Sequence, residues 1–308
     1  MTQPDSPLVA SVGDLGVQFL DNDISGQDAV SSVELADGTT FWIFGDTIEG
    51  PFDSIRGFEL TEVQSNTGAV VPLQDLSAGV TEFRYLPTPD ETRARQLIPF
   101  VPPEHKSRQR LWAIHGAEVD HQLYLYYHRI TMDPTRDVFE TFSLDGMGVA
   151  KAGSDFQFER LLAPDGSYEW WKGDLPGFGV WVQRHGEYLY LGGSIQPESK
   201  SSGDMYLARV LPENIENLAA HEYLVEAPTP ARPDVAPRWS PTFTPTGLPV
   251  LRRTERDVLV LERPSRRVHI VDHPPAGQPA RHPHRSVERA AGGLPPGQDD
   301  AGLAVQRG

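Results

Sequence analysis

Apolar side chains in this chain recur at every second position over short runs that small polar clusters interrupt, the period of half-buried β-strands. The clearest run is GQDAVSSVELADGTTFWIFGDTI, from Gly26 to Ile48. Two apolar stretches, Ala29 to Leu35 and Thr40 to Phe44, flank Ala36-Asp37-Gly38, and an Asp-Gly pair between such stretches predicts a hairpin. Antiparallel pairing brings the outer ends of two such strands together, so Asp28 before the first and Asp46 after the second are predicted to be neighbours. The pattern returns at AIHGAEVDHQLYLYYHRI, from Ala113 to Ile130, and at GVWVQRHGEYLYLGGS, from Gly179 to Ser194. In each copy a polar turn separates a first strand from an aromatic-rich second one. A third strand is predicted after each copy, at 66–71, 138–144 and 205–210. Only Pro212 to Ala220 reads as helix.

The three turns, at Asp37, Asp120 and His185, lie 83 and 65 residues apart, which suits four-stranded sheets with loops. The expected fold class is all-β, a β-propeller with blades 1 to about 3.5 in residues 1–248; a β-sandwich of several hairpins is the competing architecture. Residues 249–308 form a separate tail. From Leu251 onward there is no Phe, Tyr, Trp, Lys, Asn or Met, while Arg, Pro, His, Gly and Ala dominate. Two accounts fit this break. One is a natural disordered extension. The other is a change of reading frame near Gly247 to Leu251, because the codons for Leu251 to Pro264 permit, one nucleotide later, the string FDGPNEMSWSWND, which looks like a fourth copy of the hairpin. On the second account the propeller is incomplete and leaves sheet edges exposed.

Composition narrows the function. With 43 acidic and 27 Lys or Arg residues the formal charge is −16, and no basic stripe precedes the tail, which argues against a nucleic-acid partner. Cysteine is absent, so thiolate catalysis, thiolate metal sites and disulfides are excluded. No apolar run approaches the roughly 18 residues of a membrane-spanning helix, and the N-terminus MTQPDSPLVASVGDLG lacks the basic and apolar regions of a signal peptide. The expectation is a cytoplasmic protein with no membrane partner, export by another route being left open.

For chemistry, the paired carboxylates Asp28 and Asp46 are the candidate catalytic residues. Glycosidic cleavage needs one carboxyl group to protonate the leaving oxygen and a second to attack the anomeric carbon or activate water there. Asp46, within Gly45-Asp46-Thr47, can equally close a turn by accepting from its own backbone, and so can Asp28. Candidate substrate contacts are Asn66, His115, Glu118, Trp170 and Trp171. His115 and Glu118 lie three apart on one strand and so face opposite ways, leaving one of them for the funnel. Asn66 at the head of a strand can bond a sugar hydroxyl or serve a turn. Trp170 and Trp171, between Glu169 and Lys172-Gly173-Asp174, read as exposed in a loop, where they would stack on sugar rings. The histidines show no metal-ligand spacing and no nucleotide-binding or GxSxG motif occurs, so neither metal nor organic cofactor is expected.

Asp28, Asp37-Gly38, the run Phe41-Trp42-Ile43-Phe44-Gly45-Asp46-Thr47, Ser65-Asn66-Thr67, and Trp112 through His115-Gly116 together resemble the five-bladed propeller glycoside hydrolases. The resemblance is to the domain-of-unknown-function 4185 group, which includes the family 183 endo-D-arabinanases, and more distantly to the family 43 arabinanases and family 130 phosphorylases. It covers about residues 12–223. It implies that the innermost strand of each blade lines a central funnel, that Asp28 is base or nucleophile with Asp46 as its partner, and that the substrate is a carbohydrate, an arabinan-type furanoside. A glycoside phosphorylase, drawing a phosphate site from Arg129 with His128 or Lys172, and a carbohydrate-binding or inactive propeller are the alternatives.

Overall fold

A computed structural model describes residues 24–252, apart from 51, 54–56, 59–61, 75–78, 81, 90–92, 134, 136–141, 195–203, 229–231, 233, 245–246 and 250. The chain divides into two units, Met1–His273 and Pro274–Gly308, and every described residue belongs to the first. The N-terminal segment and the tail from 253 on, including the reading-frame question, lie outside the described residues.

The strands are β1 (Ile24–Gln27), β2 (Val30–Glu34), β3 (Thr40–Phe44), β4 (Thr47–Glu49), β5 (Phe52–Asp53), β6 (Gly57–Phe58), β7 (Glu62–Gln64), β8 (Thr67–Val71) and β9 (Arg84–Tyr85). Then come β10 (Gln109–Val119), β11 (Gln122–Met132), β12 (Phe142–Ala152), β13 (Glu159–Arg160) and β14 (Trp171–Lys172). The last are β15 (Gly177–His185), β16 (Tyr188–Ser194), β17 (Asp204–Val210), β18 (Glu222–Glu226), β19 (Arg238–Ser240) and β20 (Leu251–Arg252). Three sheets follow one another along the chain in the orders β2-β3-β8-β9, β10-β11-β12-β13 and β15-β16-β17-β18-β19. Each begins with one of the hairpins read from the sequence and continues as an antiparallel meander, the topology of a propeller blade. These sheets are blades of a β-propeller, and among the described residues no fourth blade follows the third. No described helix is long and apolar enough to cross a membrane.

Alternation along the middle blade explains how the blades stack. Leu123, Leu125 and Tyr127 of β11 enter a core with Val33, Phe41, Ile43, Leu111 and Ala113, between the first and second blades. Tyr124 and Tyr126 point the other way, into a core with Met147, Trp171, Phe178, Leu189, Leu191 and Tyr223, between the second and third. A strand buried on both faces reads as a near-continuous apolar run, which is why LYLYY carries no polar residue. The turn at its start is a two-residue loop in which Asp120 and His121 both have positive φ, 50° and 62°, the hand that matches strand twist.

Two elements differ from expectation. The third strand of the middle blade is Phe142–Ala152 where 138–144 was predicted, 138–141 lying outside the described residues. Pro212 to Ala220 is not a single helix but two 3₁₀ turns, Pro212–Asn214 and Leu218–Ala220. Asn217 interrupts it: its side chain accepts from the Ala219 N–H and caps the second turn, a local bond that competes with helix continuation.

Candidate functional site

The first hairpin does not end at Asp28 and Asp46, as its apolar pattern suggested. Pairing resumes beyond them in a small sheet of order β1-β4-β7, in which Gln27 lies opposite Thr47. The two acids therefore occupy a break in a longer hairpin, between the Gln27↔Thr47 pair and the Val30↔Phe44 pair. At the break Asp28 N–H donates to Asp46 O at 2.9 Å, and Gly45 N–H donates to both Asp28 O (2.9 Å) and Ala29 O (3.1 Å). The predicted adjacency of the two residues thus holds at the backbone. Ala29 sits in the left-handed region, φ 42°, a conformation that disfavours a Cβ and tends to occur where the surroundings over-determine the chain. A Cβ on Gly45 would stand 3.2 Å from Asp28 O. The break thus brings the backbones of the two acids close together.

Below the break the sheet is braced by buried polar groups. The Thr47 and Thr67 hydroxyls lie 2.7 Å apart, Gln27 Nε2 reaches both, and the Tyr85 hydroxyl donates to Gln27 Oε1 at 2.8 Å. Thr47 and Thr67 are fully buried. A satisfied buried network of this kind holds a local geometry rigidly.

The environments of the two carboxyl groups differ. Asp28 is exposed, and its Oδ1 accepts from the Ala29 N–H at 2.8 Å. Asp46 is only partly exposed, and its Oδ1 is buried. Two residues of the first strand of the second blade face it. Arg110 Nε stands 3.6 Å from Asp46 Oδ1. The Trp112 indole N–H is directed at the same carboxylate but falls short of hydrogen-bond geometry. Burial raises the Asp46 carboxyl above the ordinary range; Trp112 and then Arg110 pull it down, and the Asp28 charge pushes it up again. Burial prevails, so the pair contains one acid biased toward its protonated form beside one that is open to solvent.

The remaining sequence candidates are dispersed. Asn66 is fully buried: its Oδ1 accepts from the N–H groups of Leu97 and Ile98, both at 2.9 Å, and its Nδ2 donates to Leu111 O. It has no surface to offer a sugar. Its place is in the brace that ties the first blade to the second. Trp170 and Trp171 are not exposed in a loop but buried at 5% and 2%, because both indoles pack edge-on to His221 and Trp171 also packs on Phe178. Their N–H groups are taken by Leu161 O and by the Tyr223 hydroxyl. Glu118 reaches the opposite end of the first hairpin and accepts from the Ala36 N–H beside the Asp37 turn. His115 follows a bulge in β10, pairs with Tyr126, and accepts at Nδ1 from the Gly116 N–H at 2.8 Å; burial lowers its pKa. As alternation requires, His115 and Glu118 face opposite blades.

Arg110 was not a sequence candidate. The signal available was its spacing: Arg110 and Trp112 lie two apart at the start of the second copy's first strand, hence on one face. The cations suggested for a phosphate site are otherwise engaged. Arg129 bonds Glu104 and Asp145, each at 2.8 Å, and pairs with Glu169 at 3.1 Å. Lys172 pairs with Asp165 at 2.9 Å, and His128 is held neutral by burial, its pKa lowered to about 4. Among the described residues no three His, Asp or Glu side chains cluster as metal ligands.

The family described as Domain of unknown function (DUF5005) matches residues 19–255. No curated protein matches the sequence. Among solved structures, the chain is similar to a candidate hydrolase from Bacteroides ovatus, with 15% identity and a TM-score of 0.49 over 72% of this chain and 55% of that one. It is also similar to a mutant GH32 β-fructofuranosidase from Bombyx mori in complex with sucrose (14%, TM-score 0.32, 64% and 34%). A third is a mutant B. subtilis levansucrase (12%, TM-score 0.32, 66% and 53%). The chain spans about half the length of the first of these structures.

Proposed function

The chain belongs to the family described as Domain of unknown function (DUF5005), a description that carries no activity, and we propose from its own geometry that it is a glycoside hydrolase cleaving an arabinan-type furanoside. The observation that carries this reading is the acid pair at the break in the first hairpin, one member half-buried with a raised pKa and the other exposed. Environments that push two neighbouring carboxyl groups apart separate an acid from a base. Asp46, protonated more readily, donates to the glycosidic oxygen as it leaves, and the exposed Asp28 carboxylate attacks the anomeric carbon or takes the proton of an attacking water. The propeller core makes this division possible, since blade 2 covers Asp46 and leaves Asp28 uncovered. The resemblance of the motifs around both acids to the propeller arabinanases supports the choice of substrate. The engagement of Arg129, Lys172 and His128 elsewhere favours water over phosphate as the acceptor.

The test is hydrolysis of arabinan by the wild-type chain and by Asp28→Asn and Asp46→Asn, each checked for native circular dichroism. Positioned acid and base groups contribute about 10²- to 10⁴-fold each. Each variant is therefore expected to lose at least about 100-fold in kcat with folding unchanged. Sugar binding without turnover by the wild type would instead make this a carbohydrate-binding propeller.

A further inference from the structure

We propose that Arg110 is the positioning residue of the acid pair, holding the Asp46 carboxyl group in place from the neighbouring blade. The inference rests on the hydrolase reading for its functional meaning but not for its test. Its first support is how the guanidinium is fixed. Arg110 Nη1 donates to the backbone carbonyls of Lys106 and Gln109, which leaves Nε facing Asp46.

The second support is a contrast with the other described arginine–carboxylate pairs in which both side chains are largely covered. Arg129 meets Glu104 and Asp145 at 2.8 Å, and Arg209 meets Glu222 at 2.8 Å, the distances of charge-assisted hydrogen bonds. Arg110 stands off at 3.6 Å, and Arg110 Nε, Trp112 Nε1 and Asp46 Oδ1 are all buried without a hydrogen-bond partner. Buried polar groups are ordinarily satisfied, and exceptions tend to mark functional places. A closer bond would hold Asp46 as a carboxylate. The stand-off attracts the carboxyl group without forcing its ionisation.

The third support is orientation. Oδ1 is covered, yet the Asp46 side chain keeps 27% of its surface, so its exposure comes from the rest of the group. One oxygen is held inward by blade 2 and the remainder is presented outward, the arrangement that a proton donor needs. The charged or titratable groups acting on Asp46 are Asp28 from its own blade and Arg110 from the next. His128 lies one strand further out, opposite Trp112, and is neutral.

The test compares Arg110→Gln and Arg110→Lys with the wild type. Asp46 is titrated directly by ¹³C NMR of protein labelled at the aspartate carboxyl carbon, with Asp46→Asn assigning the signal. Losing the cation should move the Asp46 titration upward in Arg110→Gln, and Arg110→Lys should restore it largely. The alkaline limb of the pH profile of kcat/KM on arabinan should move the same way, since it reports an acid that must be protonated. An Asp46 titration unmoved in folded Arg110→Gln overturns the inference whatever the activity. A titration that moves in a protein inactive on every furanoside upholds the inference and removes the hydrolase reading.

Discussion

Asn66 shows how much one side chain does in this molecule. Its carboxamide accepts from the Leu97 and Ile98 N–H groups and donates to Leu111 O on the first strand of blade 2. Asn66→Ala would leave buried donors and an acceptor unpaired, at about 1–3 kcal/mol each. Urea denaturation should therefore show a loss of at least about 3 kcal/mol, with any fall in activity following unfolding. This role could not be read locally, because the partners lie 31, 32 and 45 residues away. An Asn at a strand head carries the same local signature whether it bonds a sugar, a turn or a distant backbone. Trp170 and Trp171 mislead for a related reason. Their neighbours Lys172-Gly173-Asp174 are turn formers, but His221 and Tyr223, about 50 residues on, cover the indoles. Asp28 and Asp46 were legible because hairpin pairing is a local rule that brings such residues together.

At the scale of the element, the hairpins were legible and the break in the first one was not. Alternation and Asp37-Gly38 identify β2 and β3, but β1 and β4 continue the pairing beyond the acids with few apolar residues to announce them. The break itself is a matter of backbone torsion at Ala29, a residue whose identity does not advertise positive φ. Ala29→Gly should remove the cost of a Cβ in that region and stabilise the protein by about 0.5–1 kcal/mol. Ala29→Val should destabilise it by more than about 1 kcal/mol, since a β-branched residue tolerates positive φ least. Chemical denaturation of both variants reads the difference directly. If the strain serves the acid pair, Ala29→Gly will also lower kcat while raising stability, the usual trade at a functional position.

Among the described residues the three blades are joined by two cores, and two buried histidines make the stability of the fold sensitive to acid. His128 is buried on the central strand of blade 2. His221 lies under Trp170 and Trp171 where blades 2 and 3 meet, its Nδ1 facing Asn217 O at 3.1 Å. Burial lowers the pKa of each from 6.5 to about 4. The unfolded chain therefore binds more protons than the folded one between those values. The stability each neutral imidazole contributes is full above about pH 6.5 and is lost as pH falls toward about 4. Between pH 7 and pH 5 this amounts to about 2 kcal/mol per histidine. Asp46 opposes it, because a raised carboxyl pKa contributes stability at low pH that is lost as pH rises through the folded value. Two histidines outweigh one carboxyl group, so acidification to pH 5 should lower the denaturation midpoint. His128→Gln should flatten that dependence by about half, whereas a dependence unchanged in both His128→Gln and His221→Gln would overturn the assignment to the buried imidazoles. Glu104, buried and held below the usual carboxylate range by its hydrogen bonds to Arg160, the Val101 N–H and Arg129, loses its contribution only as pH falls below its unfolded value of 4.5, so its acid sensitivity separates from that of the histidines by pH.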